Sequence, residues 1–150
     1  MNYIDELRPY TKIFIDTAPL IYYIEDHPDY AEMMEDIVNL SLTSNVKLYS
    51  SVLTLTEVLV KPIQIKNNQI VQKFLDFFYK AENIQLIDIT KNIATEAGKL
   101  RGKYQSIKAF DAIQLASAID KGINVLITND LQLKSITEIK VLALKDYLNK

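Results

Sequence analysis

Ile13-Phe14-Ile15-Asp16-Thr17 is a short unbroken run of strand-forming side chains that stops on an acid. Val125-Leu126-Ile127-Thr128-Asn129-Asp130 repeats the arrangement near the other end of the chain. Apolar runs of this length without polar alternation belong to strands buried on both faces. Between and around them, helical and strand patterns alternate. Pro19 suits a first helical turn, and Leu20, Ile21, Tyr23 and Ile24 carry a helix to His27-Pro28. Tyr30, Met33, Met34, Ile37 and Val38 mark a second helix. Lys47-Leu48-Tyr49-Ser50 reads as a strand, followed by a helix from Val52 to about Val60 that ends at Lys61-Pro62. Ile70, Val71, Phe74, Leu75 and Phe78 give a clear helical stripe, with Phe77 expected to point outward.

The pattern continues with a strand over 84–89 and a helix capped by Thr90 that carries Ile93, Ala97 and Leu100. An irregular basic segment is expected over 101–108, then a helix over 109–121 that stops at Gly122. Strands over 124–128 and 140–144 and a short helix over 145–149 complete the chain. This alternation predicts an α/β fold in which helices cover both faces of a mostly parallel sheet of four to five strands. In such sheets ligands bind at the carboxyl ends of the strands, near the point where strand order reverses.

Composition narrows the chemistry. With 150 residues, 49% hydrophobic and 24% charged, the chain fits a single domain over 1–150 with its own core. It has no Cys, which excludes thiol catalysis, Cys-ligated zinc, iron–sulfur clusters and disulfides. A single His excludes sites built on several imidazoles of one chain. Three Gly and no Gly-x-Gly argue against a dinucleotide fingerprint or a P-loop. Seventeen Lys+Arg against nineteen Asp+Glu give a net charge of -2, which is not the profile of bulk electrostatic nucleic-acid binding. A nuclease remains compatible, because its carboxylates offset its basic residues. Met1-Asn2-Tyr3-Ile4-Asp5-Glu6-Leu7-Arg8 has no export-signal pattern, and no apolar run approaches the ~20 residues of a membrane span. A cytoplasmic chain is the expectation.

Four acids stand out against apolar surroundings. Asp16 and Asp130 each follow a strand and are expected at the same sheet edge. Glu57 is embedded in Leu53-Thr54-Leu55-Thr56-Glu57-Val58-Leu59-Val60, a helix apolar nearly all round that is expected to bury it. Asp111 opens Asp111-Ala112-Ile113-Gln114-Leu115-Ala116-Ser117-Ala118-Ile119. Each has an ordinary structural reading beside the functional one: Asp16 and Asp111 as helix caps, Asp130 as a turn residue. Buried, each carboxylate costs several kcal/mol, of order 3–5 if left unpaired, and needs a Lys, an Arg or a cation. No basic residue interrupts the apolar stretches around Glu57 and Asp111. Converging acids raise one another's pKa, and a divalent cation removes the conflict. An all-oxygen donor set suits Mg²⁺ or Mn²⁺.

The ordered set Ile13-Phe14-Ile15-Asp16-Thr17, Ser50-Ser51-Val52-Leu53-Thr54-Leu55-Thr56-Glu57-Val58-Leu59, Phe110-Asp111-Ala112-Ile113-Gln114-Leu115-Ala116-Ser117-Ala118 and Leu126-Ile127-Thr128-Asn129-Asp130 resembles the PIN-domain nucleases, most closely the VapC-like toxins of toxin–antitoxin pairs. The resemblance spans Ile13 to about Leu144 and implies a three-layer α/β/α PIN-like fold. It implies that Asp16, Glu57, Asp111 and Asp130 hold metal, and that the Thr128 hydroxyl helps to position the metal or its water. The implied activity is endoribonucleolytic: one or two Mg²⁺ or Mn²⁺ ions assist in-line hydrolysis, leaving a 5′-phosphate and a 3′-hydroxyl. An antitoxin protein and a homodimer are the implied partners, with RNA as substrate. Lys99, Arg101, Lys103 and Lys108, interleaved by Tyr104, are candidate RNA contacts.

Other residues read plainly. His27 before Pro28 is expected at the surface end of a helix, and Met33 and Met34 as core filler. The rival functions are a stand-alone PIN nuclease of RNA processing or DNA repair, and a non-catalytic α/β binding module. A phosphohydrolase of haloacid-dehalogenase type needs a second Asp two residues after the first, and position 18 is Ala18.

Overall fold

The computed structural model describes residues 2–148. Five strands form one sheet: β1 (Lys12–Ile15), β2 (Lys47–Ser51), β3 (Ile84–Ile87), β4 (Val125–Thr128) and β5 (Lys140–Ala143), in the order β3-β2-β1-β4-β5. Every pairing is parallel. The helices are α1 (Tyr3–Leu7), α2 (Thr17–Ile24), α3 (Ala31–Thr43), α4 (Val52–Gln64), α5 (Asn68–Lys80), α6 (Lys91–Lys103) and α7 (Ala109–Asp120), with 3₁₀ turns at Leu131–Ser135 and Leu144–Tyr147. The α/β class and the parallel sheet agree with the sequence reading.

The strand period of two sorts the apolar runs into two layers of core. Ile13, Ile15, Val125 and Ile127 pack with Leu20, Met34 and Ile37 from α2 and α3. Phe14 and Leu126 point the other way, onto Ile93 and Ala97 of α6 and Ala112 and Leu115 of α7. Both faces of β1 and β4 are therefore covered, which is why their sequences lack polar alternation.

Chain order places the site. From β1 the chain builds outward through β2 and β3, then returns to lay β4 on the opposite side of β1. The order reverses at β1 and β4, and the residues that follow them, Asp16 and Asp130, emerge at the same edge.

Several boundaries differ from expectation. Pro62 does not end α4, which runs to Gln64 with Pro62 buried inside it. Proline removes one helical donor and crowds the carbonyl four residues back. The ladder resumes beyond it, with Ile65 N donating to Lys61 O (3.0 Å) and Asn67 N to Pro62 O (2.8 Å). The basic segment is irregular only over 104–108: α6 continues through Lys103, because Leu100 extends the buried stripe of Ile93 and Ala97. The final turn is 3₁₀ and spans Leu144–Tyr147; Asn149, assigned to that helix, lies outside the described residues. Phe77 does not point outward but packs against Tyr23, 5.6 Å between centroids. No helix among the described residues is long and apolar enough to cross a membrane.

Candidate metal centre

Asp16 follows β1 and caps α2, its Oδ1 accepting from Thr17 N at 2.9 Å. The capping reading and the functional reading thus fall on one side chain, and capping does not use up the carboxylate. Asp16 is 7% exposed, and its Oδ2 accepts from Thr128 Oγ1 at 2.8 Å. Thr128 in turn accepts from Asp130 N at 3.0 Å, so one hydroxyl ties the end of β4 to the end of β1. The Asp130 carboxylate accepts from Gln132 N at 3.0 Å and starts the 3₁₀ turn that follows.

A buried polar network that the sequence reading assigned no role lies behind Asp16. Gln114 is fully buried on α7, one turn past Asp111. Its Nε2 donates to Thr54 Oγ1 at 2.7 Å and reaches Asp16 Oδ1 at 3.4 Å, while Ser51 Oγ donates to its Oε1. Ser50 Oγ lies 2.8 Å from both the Ile15 carbonyl and Thr54 Oγ1, and Thr17 Oγ1 lies 3.1 Å from Thr54 Oγ1. Among the described residues no buried side-chain polar atom lacks a partner. A lone amide in an otherwise apolar helix, three residues after an acid, was the available signal. Gln114→Leu removes the amide, takes one hydrogen bond each from Thr54 and Asp16, and leaves the buried Ser51 hydroxyl without its acceptor. The expected cost is about 1–3 kcal/mol, read as a lower urea midpoint with unchanged slope.

Asp111 opens α7 and is half-buried. Its carboxyl is pushed up to about 6, first by burial, then by the charges of Asp16 and Asp130, against a smaller opposing effect of Lys108. Burial also raises the Asp16 carboxyl, with the charge of Asp130 adding to it and hydrogen bonds from Thr17, Thr128 and Gln114 opposing. Asp16, Asp111 and Asp130 are therefore electrostatically coupled. Among the described residues no ion pair neutralises any of them.

Glu57 departs from expectation: it is exposed. The buried edge of α4 is Thr54, Val58 and Pro62, a spacing of four. The helix leaves apolar residues in solvent instead, with Val60, Ile63 and the following Ile65 about half exposed. Apolarity all round the helix did not mean burial all round. As the side chains stand, no three His, Cys, Asp or Glu groups among the described residues close on one point as metal ligands. The donor chemistry still fits a hard dication: three coupled carboxylates of which two are raised by burial and, to a lesser extent, by neighbouring acid charge, with hydroxyls and an amide behind them and no imidazole or thiol.

The candidate RNA contacts are placed individually. Lys99 pairs with Glu96 at 3.0 Å, and Arg101 Nε donates to Ile107 O at 3.4 Å. Lys103 pairs with Glu138 at 2.5 Å, and Tyr104 OH donates to the same carboxylate at 2.8 Å. Lys108 caps α7 and acts electrostatically on Asp111, which makes it the cation nearest in effect to the acids.

Residues 13–139 match the PIN domain family. The chain belongs to the PIN-domain family. No curated protein matches it by sequence. Among solved structures, this PIN domain is similar to VapBC2 from Rickettsia felis bound to a DNA fragment from their promoter, at 22% identity and TM-score 0.70, covering 88% of this chain and 98% of that one. It is also similar to Mycobacterium tuberculosis VapC20, a Sarcin-Ricin loop cleaving toxin (14% identity, TM-score 0.66, 85% and 98% covered). A third similar structure is FitAcB from Neisseria gonorrhoeae (15%, 0.64, 89% and 98%). At these identities the likeness is one of fold, and the PIN-like architecture expected from the motifs is the one observed.

Proposed function

We propose that the protein is a Mg²⁺- or Mn²⁺-dependent endoribonuclease and the toxin of a toxin–antitoxin pair. The observation that carries this reading is the coupling of Asp111, at the start of α7, to Asp16 and Asp130 at the strand ends where the order of a PIN sheet reverses, with no ion pair among the described residues to neutralise them. Similarity to VapC20, a toxin that cleaves the Sarcin-Ricin loop, and to toxin–antitoxin complexes supports the substrate class and the partner.

Asp16, Asp111 and Asp130 would hold the metal, with Glu57 as the fourth carboxylate. When bound, Mg²⁺ or Mn²⁺ supplies Lewis-acid activation of water and neutralises charge on the phosphate and leaving oxygen. Thr128 and Gln114 hold the Asp16 carboxylate in one orientation. Lys108, beside Asp111, offers a positive charge to the RNA backbone where it approaches the acids.

The test is to incubate the protein with total RNA plus Mn²⁺ or plus chelator and to map new 5′ ends. The expected result is discrete 5′-phosphate ends that appear only with metal. Indistinguishable ends in the two arms would overturn the reading. For the toxin assignment, expression is expected to arrest growth, and co-expression of a small neighbouring gene to relieve it.

A further inference from the structure

The C-terminal end of α2 carries a group of rings that the acidic site does not use. Asp26 sits at φ 56°, the left-handed position that helix ends usually give to glycine. His27 N donates back to the Tyr22 carbonyl at 2.9 Å, which folds the chain over the last turn of the helix. Three rings meet there. Tyr22 and Tyr30 stack with centroids 4.8 Å apart and planes at 27°. His27 lies 4.7 Å from Tyr22 and 5.0 Å from Tyr30, and its Nδ1 accepts from Asp29 N at 3.1 Å. All three side chains are only half-buried. Tyr22 and His27 also border an open pocket of about 260 Å³ edged by Glu25 and Asp26.

This group is joined to the acidic site. Tyr22 OH accepts from Asn129 Nδ2 at 3.4 Å, and Asn129 stands between Thr128 and Asp130. Its side chain is itself fixed, Oδ1 accepting from Lys145 N at 2.9 Å. Tyr22 lies six residues along α2 from Asp16, roughly 9 Å of helix rise, within reach of a few nucleotides of extended strand. Charge selects the occupant. Carboxylates at the rim repel a phosphate or an acidic peptide but accept hydrogen bonds from the exocyclic amines of adenine, cytosine or guanine. Aromatic faces bind bases by stacking.

We propose that Tyr22, His27 and Tyr30 form a stacking subsite for one amine-bearing nucleobase of the single-stranded RNA substrate. The inference rests on the nuclease reading and adds to it a base contact outside the acids.

The test measures anisotropy of short fluorescein-labelled oligo(A) and oligo(U), with Ca²⁺ in place of Mg²⁺, on wild type, His27→Ala and Tyr30→Leu. Leucine keeps apolar volume where Tyr30 packs on the core, and His27 lies outside the core clusters, so at least one variant keeps the fold; circular dichroism checks both. Wild type is expected to prefer oligo(A), and each variant to lose about tenfold in oligo(A) affinity and most of that preference. The Mn²⁺-induced melting shift is expected to stay unchanged in both. Since the chain has no Trp, its intrinsic emission comes from Tyr, and oligo(A) is expected to quench it less in Tyr30→Leu. Unchanged oligo(A) affinity in folded variants, with wild type still cutting RNA, overturns the subsite and leaves the nuclease reading intact. Wild type that neither binds nor cuts RNA overturns both.

Discussion

Asp16→Asn and Asp111→Asn are each expected to reduce the proposed metal-dependent RNA cleavage by more than about a hundredfold and to leave the protein folded. Asparagine keeps the shape of the side chain and removes its charge. At Asp16 the amide oxygen still accepts from Thr17 N and from Gln114, so the cap of α2 and the link to Gln114 persist, while the Thr128 hydroxyl loses its acceptor and instead accepts from the new amide N–H. At Asp111 no hydrogen bond of the carboxylate is at stake among the described residues, and half of its surroundings are already protein. Both changes also relieve repulsion among Asp16, Asp111 and Asp130 in the absence of metal. The melting temperature of the metal-free variants is therefore expected to equal or exceed that of wild type at neutral pH. Initial rates with Mn²⁺ and melting curves with chelator, taken on the same preparations, decide the matter. Variants that cut at the wild-type rate remove these acids from the reaction; variants that fail to fold assign them to structure alone.

β1 and β4 were legible because both their faces are buried, and a strand buried on both faces has to be continuously apolar. Asp16 and Asp130 were legible for the same reason: an acid directly after such a run lies at the sheet edge where ligands bind. The acids' electrostatic coupling followed from chain order. The burial expected of Glu57 is not observed because hydrophobicity alone does not say which side of a helix has a neighbour. α4 buries Thr54, Val58 and Pro62 and leaves Val60 and Ile63 in solvent. Gln114 was missed because its role arises only across elements: its partners are Ser51 and Thr54, more than fifty residues earlier, and Asp16, almost a hundred. The ring group at Tyr22, His27 and Tyr30 was hidden for a similar reason. A left-handed Asp26 reverses the chain there, and no residue in Glu25-Asp26-His27-Pro28 announces that conformation as a glycine would.

Metal should also appear as stability, with a pH dependence whose sign is fixed. Asp111 binds its proton more tightly in the folded chain, where its pKa is about 6, than in the unfolded one. The folded state therefore holds more protons than the unfolded state between the ordinary carboxylate range and pH 6, and stability falls as pH rises through that window. Below it Asp111 is protonated in both states and above it ionised in both, so its own contribution is level on either side. Partial exposure of Asp111 screens the effect, which is expected to be on the order of 1 kcal/mol. Mn²⁺ reverses the loss by binding the ionised carboxylates. At a hundred times its dissociation constant it adds about 2.7 kcal/mol, or roughly 5–10 °C of melting temperature for a chain of this length. The shift should be large at pH 7.5 and much smaller at pH 5, where protons compete for Asp111. Asp111→Asn should lessen the fall of the metal-free pH profile between pH 4 and 6, leaving the part contributed by the raised Asp16 carboxyl, and remove most of the Mn²⁺ shift. A wild-type melting temperature that ignores Mn²⁺ at pH 7.5, or that rises between pH 4 and 6 without metal, would show that the three aspartates carry neither the strain nor the cation assigned to them.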